Sequence, residues 1–303
     1  LILAHQQPTD RRRFRAERAG HEGVPAVLDI ARFLRIATQL DPLVSQGAGR
    51  LRQDRTERHR AAAGQGDDSI VLQRFGIVST QVRVDLGETV PDLRTFDAVI
   101  FAGGEYRPEE FEEPIFQAER ERIMEALQAN VPILAICLGH QLLAYWLGGE
   151  VKRGRWEIGW LPITVNQAGQ ADPVLSSLGQ TFYGFLWHGD RVTRLPDEAI
   201  LLASSELCRV QAYRLRNHPV WSVQFNPQYD PVIAESVVRH TPWIAKRGWD
   251  QEEIIATGYR EYDDVIGHIF GSFFEFILRG EIIHAPPGVP STPDVDFGDW
   301  EPR

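Results

Sequence analysis

Four apolar residues, Ile133-Leu134-Ala135-Ile136, run without a polar interruption into Cys137-Leu138-Gly139-His140-Gln141. An apolar stretch follows from about His140 to Leu147 and stops at Gly148-Gly149. Such a run reads as a strand buried on both faces, then a sharp turn, then a helix ended by glycine. A strand buried on both faces needs helices above and below it, which commits this part of the chain to an α/β layer architecture. The turn puts Cys137 at the carboxyl end of a strand, where open α/β sheets bind ligands. A following helix offers free N–H groups and a positive dipole end to the sulfur, favouring a thiolate or a developing oxyanion. The competing reading of the same stretch is a buried structural cysteine in an ordinary βα turn.

The flanking pattern extends this architecture. Leu1 to His5 form a candidate first strand, and the apolar spacing of residues 24–38 (Val24, Val27, Ile30, Phe33, Leu34) predicts one helix face. Residues 45–67 are polar and read as loop. Alternation of helix and strand begins near Asp68: a helix ends at Gly76, and strands are expected at 80–84, 96–101 and 131–136, with a charged helix over 109–129. Further strands are expected at 159–165, 182–185, 199–204, 210–215 and 220–225, and helices over 231–281. Phe270, Phe273, Phe274, Phe276 and Ile277 form a stripe that reads as core, and the Pro- and Asp-rich tail from His284 reads as disordered. The expected divisions are 1–67 (first strand plus a basic insertion), 68–230 (core), 231–283 (helical extension) and 284–303 (tail).

Composition narrows the function classes. The formal charge of -10 opposes general nucleic-acid binding, although residues 1–63 carry twelve arginines against seven acids. No apolar run approaches the roughly 20 residues of a membrane span. Arginines follow the short apolar start rather than precede it, the wrong order for a secretory signal, so the expectation is a soluble, cytoplasmic protein without nucleic-acid or membrane partners. Two cysteines, Cys137 and Cys208, exclude a disulfide framework or a four-thiolate zinc site. Neither a metal nor a cofactor is expected.

Several motifs, taken in order, resemble the class I (triad) glutamine amidotransferases. Ala135 to Gln141 match the nucleophile pattern Gly/Ala-x-Cys-x-Gly-x-Gln, and Leu147-Gly148-Gly149 match the end of the following helix. Phe101-Ala102-Gly103-Gly104, Glu157-Ile158-Gly159-Trp160 and Trp187-His188-Gly189-Asp190 are similar to further stretches of the family. The resemblance implies a mostly parallel twisted sheet flanked by helices, a flavodoxin-like three-layer sandwich. It also implies Cys137 as nucleophile and Gly103, Gly104 and the Leu138 amide as oxyanion donors. Gln141, Trp187, His188 and Gly189 would hold glutamine or a γ-glutamyl group, and a synthetase or pathway enzyme would be the partner.

One motif departs. The family carries Gln-Phe-His-Pro-Glu where this chain reads Gln224-Phe225-Asn226-Pro227-Gln228. The resemblance places Asn226 at the catalytic histidine position and Gln228 at the glutamate position. A carboxamide does not titrate near neutral pH and can neither take the thiol proton nor return one to ammonia. The expectation is a degenerate glutaminase that serves as a binding or regulatory module. The alternative is an active amidotransferase or γ-glutamyl hydrolase that works through a Cys137 thioester with a non-standard base, for which His188, His140 and His218 are the candidates. Cys208 reads as structural.

Overall fold

In the computed structural model, the described residues are 71–280 except 73, 76, 85 and 86, together with two short strands at 2–3 and 35–36. Strands β1 (Ile2–Leu3), β2 (Arg35–Ile36), β3 (Val78–Gln81), β4 (Val99–Phe101), β5 (Ile133–Ile136), β6 (Glu150–Val165), β7 (Thr181–Arg194), β8 (Ala199–Ser204), β9 (Ala212–Leu215) and β10 (Val220–Val223) form one sheet. Their order is β2-β3-β1-β4-β5-β10-β9-β8-β6-β7. At its centre β4, β5 and β10 run parallel, with Val99 opposite Ile133 and Val220 opposite Ile133 on the other side. Every residue of these three strands is buried, as strands covered on both faces require. The fold is α/β, as expected, but its sheet is mixed. Among the described residues, parallel pairing is confined to β2–β3 and β4–β5–β10, while β6 to β10 pair antiparallel, with β8 on β6 beside the long β6–β7 pair. Short loops join β7 to β10 in sequence, and the only α-helix in the 166–180 segment between β6 and β7 is the one-turn Gln167–Gln170, so no crossover helix imposes parallel pairing in this half.

The parallel centre positions the site. Ala102-Gly103-Gly104 follow β4, Cys137 follows β5 and Gln224 to Gln228 follow β10, so three loops converge on one carboxyl edge. Helix α1 (Gln117–Gln128) starts later than its charged pattern suggests. Pro108 and Pro114 each open a 3-10 turn (Pro108–Glu110 and Pro114–Phe116), because proline has no N–H for a preceding helical turn. Helix α2 (Leu138–Trp146) begins directly after Cys137, two residues before the expected start at His140. Strands β6 and β7 are far longer than their apolar cores suggested, since the start of β6 is charged and partly exposed and the end of β7 mixes buried polar residues such as His188 and Arg191 with apolar ones. At residues 35–36 the chain is strand, not helix, and the rest of the 24–38 stretch, the 45–67 loop and the tail lie outside the described residues.

After the sheet, helices α3 (Pro231–Arg239) and α4 (Gln251–Glu261) pack on the hairpin. Each is started by an aspartate cap: Asp230 accepts from Ile233 N at 2.8 Å, and Asp250 accepts from Glu252 N at 3.0 Å. Ile158, Trp160, Phe185 and Tyr229 from the sheet side join Val237, Val238, Ile244, Ile254 and Ile255 in a second core. A π turn at Gly267–Gly271 leads into α5 (Ser272–Arg279), whose Phe273, Phe274 and Phe276 are buried. Trp221 of β10 meets the Phe276 ring at 4.7 Å and the Phe273 ring at 5.9 Å, so the phenylalanine stripe is core. Among the described residues no helix is long and apolar enough to cross a membrane.

Helix α4 approaches β6 so closely that a Cβ on Gly258 would lie 2.3 Å from Trp160 Nε1. Gly258→Ala gains about 1 kcal/mol of helix propensity but forces a buried indole aside, at a cost of about 1–3 kcal/mol. The net expectation is a loss of stability, read as a lower urea midpoint by tryptophan fluorescence. An unchanged or raised midpoint would show that the helix does not sit this close.

Candidate active site

Cys137 is the cap residue between β5 and α2 and adopts φ 52 and ψ -104, a conformation that costs a non-glycine residue about 1–3 kcal/mol. Neighbouring backbone holds it there. Cys137 N donates to Val223 O at 2.8 Å, Gln141 N donates to Cys137 O at 3.1 Å, and Gly139 N donates to Ala102 O at 3.2 Å. Gly139 is required by contact: a Cβ there would lie 2.1 Å from Phe101 O. A Cβ on Gly104 would lie 2.6 Å from a Leu138 methyl, so the Gly103-Gly104 loop rests on the residue that follows the cysteine. The structure thus brings Gly103, Gly104, Cys137 and Leu138 together at the amino end of α2, where unpaired N–H groups and the helix dipole favour negative charge.

A row of carboxamides lies beside the sulfur. Gln224 Nε2 donates to Cys137 Sγ at 3.8 Å. Gln141 Nε2 donates to Gln224 Oε1 at 3.0 Å and to Asp190 O at 2.8 Å. The sequence marks Gln224 only as a retained residue of the altered motif, because its reach to the sulfur depends on how β5 and β10 are registered. Asn226 is 2% exposed; its backbone N donates to Phe185 O at 2.9 Å, and Oδ1 makes no hydrogen bond among the described residues. Gln228 is 1% exposed, and neither atom of its amide has a hydrogen-bond partner there. Buried amides left in this way each cost about 1–3 kcal/mol.

On the adjacent hairpin, Glu157 pairs with His188 across β6 and β7. His188 Nε2 lies 3.2 Å from Glu157 Oε2, and its Nδ1 lies 3.0 Å from Asp190 O. Ser205 Oγ donates to Glu157 Oε1 at 2.7 Å and Gln211 Nε2 to Oε2 at 3.4 Å. Burial pushes the Glu157 carboxyl up, but the His188 imidazole, the Ser205 hydroxyl and the Arg191 cation outweigh it and hold the group below the usual carboxylate range. Cys208 belongs to this knot, because ligand-type atoms of Glu157, His188 and Cys208 lie within 4.8 Å of one another. Its thiol is pushed up to about 12, first by burial and then by the Glu157 charge, and Sγ donates to Val210 O at 3.4 Å. A protonated thiol beside a carboxylate already served by Ser205, Gln211 and Arg191 fits a closed polar core better than a cation site. Trp187 stacks on Phe185 at 5.8 Å and meets Trp243 edge-on at 5.8 Å, while Trp156 fills the space beside Gly189.

The other two candidate histidines are placed differently. His218 Nδ1 contacts Asn130 Oδ1 at 2.9 Å, at the amino ends of β10 and β5 and so on the edge opposite Cys137. His140 is fully buried in the first turn of α2, with Nδ1 at 2.8 Å from Ser222 Oγ. Burial, and then the nearby His188, lower its pKa to about 3. Its folded value lies below the unfolded value near 6.5, so from there down to about pH 3 the unfolded chain binds the extra proton and stability falls with pH. Compared with His140→Gln, the wild type loses stability faster over this window, by up to about 1.4 kcal/mol per pH unit. Urea midpoints at successive pH values for both proteins measure this, and parallel curves would place the imidazole in a solvated setting.

Comparison with known proteins assigns this arrangement. Residues 71–236 match the family model "Glutamine amidotransferase class-I". The chain is 36% identical over 159 residues to the glutamine-hydrolyzing GMP synthase component of Sulfolobus acidocaldarius, covering 52% of this chain and 79% of that one. It is 33% identical over 165 residues to the putative glutamine amidotransferase-like protein YfeJ of Salmonella typhimurium, covering 52% and 68%. A glutamine amidotransferase crystal structure from Thermotoga maritima has the same fold, with a TM-score of 0.62 at 24% identity over 71% of this chain and 92% of that one. With the motif residues of four separate segments gathered at one sheet edge and more than half the chain matched, this protein belongs to the class I glutamine amidotransferase family.

Proposed function

We propose that this protein is a degenerate glutaminase: it keeps Cys137 as nucleophile, has lost the acid–base pair at Asn226 and Gln228, and serves as a binding or regulatory module for glutamine or a γ-glutamyl group. The observation that carries this reading is the pair of buried, uncharged amides at the carboxyl end of β10, the strand hydrogen-bonded to the Cys137 strand. In amide hydrolysis through a thioester, the sulfur attacks the side-chain carbonyl, and the backbone of Gly103, Gly104 and Leu138 would receive the oxyanion. The C–N bond then breaks only if the departing nitrogen gains a proton. Asn226 and Gln228 hold none to give. Nor do the histidines stand in: His140 stays neutral under burial, and His188 is engaged with Glu157 and Asp190. Gln141 spends both amide hydrogens inside the protein, which leaves its Oε1 as the atom free to meet a ligand. Trp187, His188 and Gly189 would supply the remaining contacts.

Several relatives are named as components of a glutamine-hydrolyzing GMP synthase. By that likeness, a synthetase or pathway enzyme is the proposed partner, and a cytoplasmic setting is proposed with it. Losing a general base typically costs about 10²–10⁴ in rate. Purified wild type is therefore expected to release ammonia from glutamine at background, while Asn226→His, Gln228→Glu raises release by about 10²-fold or more. Strong ammonia release by the wild type would instead identify a working glutaminase or γ-glutamyl hydrolase with another base.

A further inference from the structure

The carboxamide row beside Cys137 has a direction. Asp190 O is a carbonyl and can only accept, so the end of Gln141 that faces it must be the NH2 group. The second hydrogen of that group then meets an acceptor, which makes the facing atom of Gln224 its oxygen. Gln224 is left with its own NH2 directed at Cys137 Sγ, 3.8 Å away. Gln224 is fully buried and Gln141 nearly so, and the Gln224 backbone is tied by its N–H to Gln211 O at 2.8 Å. Neither side chain can rotate freely to reverse the relay. A donor held in this way favours the anionic form of the atom it faces, and it acts on the same sulfur as the amino end of α2.

We propose that the Gln141–Gln224 relay holds the Cys137 sulfur as a thiolate, with Gln224 donating directly to it and Gln141 acting as the positioning residue. The thiol proton passes to bulk water. This inference rests on the reading of Cys137 as the nucleophile. It implies a sulfur that is reactive in a single step yet poor at turnover, because the relay lowers the cost of the anion without supplying a proton to a leaving group. It also links the nucleophile to β7, since the relay begins at the Asp190 carbonyl next to Gly189.

The test is the rate of Cys137 alkylation by iodoacetamide on the full chain, followed over roughly pH 5 to 10 by peptide mass spectrometry. Reading by peptide separates Cys137, which is buried but 8% exposed, from the fully buried Cys208. Gln224→Glu keeps the shape and the acceptor for Gln141 but turns a carboxylate towards the sulfur. Gln224→Leu removes the donor, and Gln141→Leu frees Gln224 from its anchor. The midpoint of the rate curve is expected to rise by about one pH unit in Gln224→Leu, further in Gln224→Glu and less in Gln141→Leu. At a pH below both midpoints about tenfold less thiolate is partly offset by its greater intrinsic nucleophilicity, so the Gln224→Leu rate there falls by about threefold. Near-ultraviolet circular dichroism checks that each variant is folded, and the isosteric Gln224→Glu carries the test if Gln224→Leu does not fold. Curves that superpose on the wild type would overturn the relay while leaving Cys137 a nucleophile. A wild-type Cys137 that stays unmodified at every pH would overturn the nucleophile reading itself.

Discussion

The backbone of Cys137 occupies a region of φ/ψ space that an L-residue enters only when its surroundings insist. Three strands do the insisting. The Cys137 amide is bonded to Val223 of β10, and the next turn of chain is bonded to Ala102 at the end of β4. Helix α2 begins at Leu138 with no linker. Parallel pairing of β4, β5 and β10 makes these ties possible, because it brings three carboxyl ends to one edge in register. Antiparallel neighbours would have delivered amino ends there instead.

The outer half of the sheet serves that edge in another way. The β6–β7 hairpin sets Glu157 opposite His188 and presents the Asp190 carbonyl to Gln141. Its other face would be an open apolar surface if α3 and α4 did not cover it with Val237, Val238, Ile254 and Ile255. Gly159 and Gly258 permit that close approach; a Cβ on Gly159 would lie 3.1 Å from Ile254. Buried polar groups on the inner side are tied in a network of Glu157, His188, Ser205 and Gln211, with the Cys208 thiol beside it. The helices after residue 230 are therefore part of the support for the strand that carries His188.

Against this frame, the proposed loss of function is local. Residues 226 and 228 lie after β10, outside the strand ladder that holds the elbow, so neutral amides there leave the elbow's hydrogen bonds in place. The cost falls on the amides themselves, buried with unmet hydrogen-bonding capacity.

Local chemistry was legible in the residues alone. The uninterrupted Ile133–Ile136 run, the cysteine turn and the glycine stop point to a family and an α/β class, because each rests on residue type and short spacing. Longer-range facts were not. The mixed sheet follows from which strands find each other, and the full lengths of β6 and β7 from pairing that extends past their apolar cores. Two side-chain relations belong to tertiary structure for the same reason: Gln224 at the sulfur, and Cys208 beside Glu157 and His188, join residues far apart in the chain, with only His188 and Cys208 comparatively close. Sequence determines what a side chain can donate, accept or titrate; strand register alone decides what it faces.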